Sequence, residues 1–125
     1  FKEIRDKHDI YIPFCGYDNY SANYFVQDMK LEFGESAMEG VIQGAKTLSG
    51  PLRSLGADLD AKRINYNNNP ITKWCLSNVS VMEDRNANLL PCKTSNQRRR
   101  IDGFAAMLDA YVVLERHQEE YINMI

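Results

Sequence analysis

The sequence predicts an α/β fold, and three observations carry that reading. Apolar residues recur at helical spacing in several stretches, as in Leu52, Leu55, Leu59 and Ile64. Short β-branched or aromatic runs stand between them, as in Ile10 to Tyr17 and Val79 to Glu83. No repeat, low-complexity tract or linker divides the 125 residues, so a single domain is the economical reading.

Taken in order, Phe1 to His8 reads as the end of a charged helix. The chain opens at Phe1 inside that segment, which suggests a piece of a longer protein. Ile10 to Tyr17 is apolar and aromatic, so a buried strand is expected, closed by Asp18. Pro13 removes one ladder donor from it and favours an edge or a bulge. Asn19 to Ser21 is turn-like, and Ser21 can cap a helix from Ala22 to about Phe33. Tyr24, Phe25, Met29 and Phe33 form its expected apolar side, and Gly34 ends it.

Met38 to Gly44 reads as a second strand. Ser49 to Ile64 reads as a helix, with Pro51 tolerated in its first turn. Gly50 and Gly56 weaken that helix. Asn65 to Asn69 is a loop, and Pro70 opens a short helix with Trp74 on its core face. Val79 to Glu83 and Leu89 to Cys92, joined by Asp84 to Asn88, read as a β-hairpin.

The terminal helix, Gln97 to His117, is the stretch around which the rest is organised. Ile101, Phe104, Ala105, Leu108, Tyr111 and Val112 make its apolar stripe, and Thr94 and Gln97 have capping-box spacing. Asn123 to Ile125 is expected to fray.

Composition narrows the function. A net charge of −2 gives no global pull towards nucleic acid, so DNA contact needs local patches or a metal. Cys15, Cys75 and Cys92 are odd in number and lack CxxC spacing. That argues for reduced thiols in a cytoplasm and against a zinc site or a disulfide scaffold. No apolar run approaches the roughly 20 residues of a membrane helix, and no signal peptide is evident.

Two aspartates are candidate ligands. Asp18 ends a buried strand, where α/β folds place ligand-binding groups; it equally suits capping of the following turn. Asp102 lies early in the terminal helix and can reach the same edge, or can simply pair with an arginine. Brought together, the two carboxylates form an oxygen-rich site for Mg²⁺ or Mn²⁺. Two carboxylates are few for two-metal phosphoryl chemistry, and no convincing third is evident.

Arg98, Arg99 and Arg100 occupy the expected first turns of the terminal helix, where the dipole disfavours cations. They read as a phosphate-backbone contact, with Lys93 beside them, or as a solvated basic turn. His8 and His117 read as surface residues and Asp58 and Asp60 as solvated, while Asp109 shares the Asp102 helix side and reads equally as a further candidate or as a packing-edge residue. There is no glycine-rich phosphate loop.

The series GYDNYSANYFVQDM, QGAKTLSGPLRSL, NNNPITKWCLSNVSVMEDRNANLLPCK and RRRIDGFAAMLDAYV resembles the C-terminal nuclease domain of the tailed-phage large terminase subunit. The resemblance runs from about Ile10 to Leu114. Its most specific pieces are Asn69, Pro70, Trp74, Asn78 and Val79, then Ile101, Asp102, Gly103 and Ala106.

That resemblance implies an RNase H-like fold, a mixed sheet with flanking helices, lacking here the first strands. It implies a metal-dependent endonuclease that cuts concatemeric double-stranded viral DNA during packaging in the host cytoplasm. Its Mg²⁺ or Mn²⁺ would be held by acids from three places, with Asp18 matching the second and Asp102 the third. The first has no counterpart, so metal binding and cleavage by the chain alone are expected to be weak or absent. Portal and the small terminase subunit are the implied partners. The strand ending at Asp18 is expected to leave an open edge, which invites a homodimer. The alternative function is a non-catalytic interaction module of the packaging machinery.

Overall fold

The computed structural model describes residues 1–20, 23–94 and 99–125. Among these described residues six helices, four strands and one 3₁₀ turn follow in a mixed α/β order. The helices are α1 (Lys2–His8), α2 (Asn23–Phe33), α3 (Ala45–Asp60), α4 (Pro70–Asn78), α5 (Asp102–Arg116) and α6 (Gln118–Met124). The strands are β1 (Cys15–Asp18), β2 (Met38–Val41), β3 (Val79–Glu83) and β4 (Leu89–Lys93).

Among the described residues the strands form two separate ladders rather than one mixed sheet. β1 and β2 run parallel, with Asp18 opposite Val41. β3 and β4 form the expected antiparallel hairpin, with Val79 opposite Lys93. β1 is shorter than the apolar run suggested. Pro13 carries no N–H to pair, and Ile10 and Tyr11 are exposed.

Side chains of the β1–β2 ladder alternate between two layers. Cys15, Tyr17 and Met38 pack with Val26 and Met29 of α2. Val41 faces the other way, into a cluster of Leu48, Leu52 and Leu55 from α3 with Phe104, Leu108, Val112 and Val113 from α5. The buried α2 stripe is thus Val26 and Met29, with Phe33 packed beside them. Tyr24 is 91% exposed and Phe25 is also on the outside, contrary to the stripe read from sequence.

The middle helix starts at Ala45, four residues ahead of the expected Ser49. Pro51 therefore lies inside it, not in its first turn. Leu48 continues the buried stripe of Leu52 and Leu55, so the helix runs on through Pro51 although one helical bond is missing there. Ser49 adds an anchor, its Oγ accepting the Leu89 N–H at 2.9 Å.

In α4, Asn69 caps the helix by accepting the Ile71 and Thr72 N–H groups, and Pro70 takes the first position. The inward residues are Cys75 and Asn78, while Trp74 is nearly half exposed, correcting its expected core position. The inner face is set by close approach to α5. A Cβ on Gly103 would stand 3.1 Å from Cys75 Sγ.

α5 begins at Asp102, so Arg99 and Arg100 precede the helix instead of occupying its first turns. An acid in the first turn suits the helix dipole better than the expected run of cations. Ser21, Ala22, Gln97 and Arg98 lie outside the described residues, and with them the Ser21 cap, the capping box and one of the three arginines. α5 ends at Arg116, and α6 runs from Gln118 to Met124, across part of the end expected to fray.

Candidate nuclease site

α5 lies against β1 in the opposite direction. Phe14, just ahead of β1, stacks on the His117 ring beyond the end of α5, with centroids 4.1 Å apart. Gly16, within β1, meets the middle of α5. A Cβ there would stand 2.5 Å from the Asp109 carbonyl oxygen and 2.9 Å from Val113 Cγ2. Only a residue without a Cβ permits this approach.

Strand alternation places Asp18 on the same side as Gly16, facing α5. Two residues of strand carry it about 7 Å from Gly16 towards the start of the helix. Asp102 lies in that direction too, seven residues, or roughly 10 Å of helix axis, ahead of Asp109. Asp18 and Asp102 thus belong to the same end of the strand–helix pair.

Asp18 is half-buried and accepts the Tyr20 N–H on Oδ1 at 3.0 Å, the turn-capping bond that sequence left open. Asp102 is exposed. The carboxylate that the fold buries is Asp109, at 6% exposure, in place of a packing-edge position. Gln43 Nε2 donates to its Oδ1 at 2.8 Å. Burial pushes the Asp109 carboxyl above its ordinary range, the Gln43 bond pulls it down, and the charge of Asp18 pushes it up.

The start of α5 is fixed by Asn78, itself 3% exposed. Its Nδ2 donates to the Arg100 carbonyl at 3.0 Å, and its own carbonyl accepts the Thr94 N–H at 3.3 Å. One residue therefore ties the end of the hairpin, next to Lys93, to the segment carrying Arg99 and Arg100. Lys93, Arg99 and Arg100 are all exposed. Arg98 is outside the described residues.

The other end of α5 is held differently from expectation. His117 is half-buried, with Nε2 2.6 Å from Glu39 Oε2 and Nδ1 2.9 Å from Glu120 Oε1. The Glu120 and Glu39 bonds raise its pKa above the ordinary 6.5. Arg116 pairs with the same Glu39. Asp58 is likewise engaged, accepting from Tyr111 Oη at 2.6 Å and Arg63 Nε at 2.7 Å.

The donors at the Asp18 end suit a hard divalent cation in kind, being carboxylate oxygens. In number they are sparse: among the described residues no group of three His, Cys, Asp or Glu side chains is placed to hold a metal. No helix among them is long and apolar enough to cross a membrane.

Sequence reasoning missed Gln43 and the structural part of Asn78. Nothing in local sequence marks Gln43, whose partner is 66 positions away. Asp109 was open to view, since its seven-residue offset from Asp102 puts both on one helix side.

No curated protein and no solved structure matches the chain. A family model described as terminase large subunit, endonuclease domain, matches residues 6–119. The order of segments and the match agree over nearly the whole length, and the chain belongs to the terminase large subunit endonuclease-domain family.

Proposed function

We propose that the chain is the DNA-cutting part of a viral DNA-packaging terminase, an RNase H-like metal-dependent endonuclease acting on concatemeric double-stranded DNA. Family membership supports the packaging role. What supports the rest is the antiparallel packing of α5 on β1, with Gly16 against Asp109 and Phe14 against His117, which we read as bringing Asp18 and Asp102 towards one end.

In this reading Asp18 and Asp102 hold Mg²⁺ or Mn²⁺, which when bound supplies Lewis-acid polarisation of the scissile phosphate. Arg99 and Arg100, with Lys93 and Arg98, neutralise the adjoining DNA backbone. Contacts of this kind fix position on the duplex and carry no sequence information themselves. With so few carboxylates, the ion is held weakly and cleavage by this chain is slow.

Calorimetric titration with Mn²⁺ tests the assignment, together with plasmid nicking at saturating Mn²⁺. The expected result is weak binding and slow nicking, each lost in Asp18→Asn and in Asp102→Asn. Binding of equal strength in both variants would reject the two residues as ligands.

A second reading is a docking module for portal or the small terminase subunit. The observation in its favour is α6, which leaves Tyr121, Ile122 and Met124 exposed at the end of the fold. Pull-down by portal that is lost in a Tyr121→Ser, Ile122→Ser variant, with no Mn²⁺ binding, would favour it over the nuclease.

A further inference from the structure

The end of the β1–β2 ladder, where Asp18 sits, is joined to α5 through one side-chain amide. Gln43 Nε2 donates to Asp109 Oδ1 at 2.8 Å and to the Val41 carbonyl at 3.2 Å. The same Val41 carbonyl accepts the N–H of Asn19, the residue after Asp18, at 3.3 Å. Val41 is also the register partner of Asp18. From these contacts we infer that Gln43 is a positioning residue for Asp18, stapling the strand end to the buried Asp109 and so fixing Asp18 relative to the start of α5. This rests on the nuclease reading for its functional meaning, though not for its geometry.

The physical case is one of otherwise weak restraint. β1 is four residues long and pairs with β2 alone among the described residues. Two short parallel strands give little stiffness by themselves. The chain beyond Asp18 turns at once, held by the Asp18–Tyr20 bond. Without the amide, the Asp109 carboxylate also loses its side-chain donor in a buried setting, which is costly and favours rearrangement. Asp109 itself is used here as an acceptor. A neutral acceptor of the same shape serves equally, which separates the staple from any demand for charge.

Three variants of the intact chain test it: Gln43→Met, Asp109→Leu and Asp109→Asn. The first two remove donor or acceptor while keeping side-chain length or branching, and the third keeps an acceptor oxygen. Amide hydrogen exchange at Asn19 and Tyr20 is the first readout, with the β3–β4 amides as internal control. Mn²⁺ affinity of the folded protein is the second.

The expected result is exchange at Asn19 and Tyr20 about tenfold faster in Gln43→Met and Asp109→Leu, with the hairpin unchanged. Mn²⁺ affinity falls by a similar factor, about tenfold, as for other residues that orient a ligand. Asp109→Asn restores slow exchange, and Gln43→Met with Asp109→Leu together is no worse than either alone. Exchange unchanged in Gln43→Met, or accelerated uniformly over the whole chain, would overturn the positioning role. If the unaltered protein takes up no Mn²⁺ at all, the nuclease reading fails, and the exchange data still decide whether Gln43 fixes Asp18.

Discussion

The side-chain amide of Asn78 donates to the Arg100 backbone carbonyl across 3.0 Å, joining the root of the β-hairpin to the segment that opens α5. The Asn78 amide lies where water reaches poorly, at 3% exposure. Asn78→Ala strands the Arg100 carbonyl and removes packing. The expected cost is about 1–3 kcal/mol of unfolding free energy, read from urea denaturation. Asn78→Leu is expected to be no better, because the carbonyl stays unpaired. A stability unchanged within error in both variants would show that Arg100 finds water instead.

Gly16 lets β1 lie directly on α5. A methyl group at that position meets backbone, the Asp109 carbonyl at 2.5 Å, which has no rotamer to retreat to. Gly16→Ala is therefore expected to destabilise by about 1–3 kcal/mol and to displace the strand that carries Asp18. Gly50 offers a control, because a Cβ there meets nothing within 4 Å. Gly50→Ala, in a helix interior, is expected to be neutral or stabilising by up to about 1 kcal/mol. Thermal unfolding of the two variants side by side checks the contrast.

His117 makes the stability pH-dependent in a definite direction. Its pKa is raised in the fold by the Glu120 and Glu39 carboxylates. A raised pKa means that the folded chain holds a proton the unfolded chain has released. The stabilisation is thus present in full below the ordinary 6.5 and is lost as pH rises through the higher folded value. The difference in Tm between the protein and His117→Gln is expected to shrink steadily as pH rises above the ordinary 6.5. A difference that grows over that range would reverse the assignment.

The basic residues ahead of α5 give a salt signature. Removing a cation that touches one phosphate lowers the slope of log affinity against log salt by about one for duplex DNA. Arg99→Ala and Arg100→Ala are each expected to weaken duplex binding on any sequence and to flatten that slope by about one. Fluorescence anisotropy over a salt series measures it. An unchanged slope in the double variant would leave both arginines as ordinary solvated side chains.

Much of this was legible in the sequence wherever a local signal sufficed. The hairpin from Val79 to Lys93 was marked by alternation around a turn of Asp and Asn, and the structure adds an Asp84 side chain accepting the Asn86 and Asn88 N–H groups. Pro70 announced α4 at its first position, and the structure adds Asn69 as the cap. What local sequence does not carry is which face of a helix meets a distant partner. Trp74 yields the core side of α4 to Cys75 because Gly103 comes close there. α3 runs past Pro51 because Leu48 has a core to enter. At the candidate site, Asp18 and Asp102 are proposed from position and resemblance. The Gln43–Asp109 contact was not legible there, because it exists only once β2 and α5 are packed.

Crystals soaked in Mn²⁺ and measured at the manganese absorption edge locate the ion by its anomalous scattering. If strand end and helix start share a cation, a peak should lie within ligand distance of carboxylate oxygens from both Asp18 and Asp102. A peak elsewhere, or two carboxylates turned to opposite sides of α5 with no peak between them, would contradict the shared site.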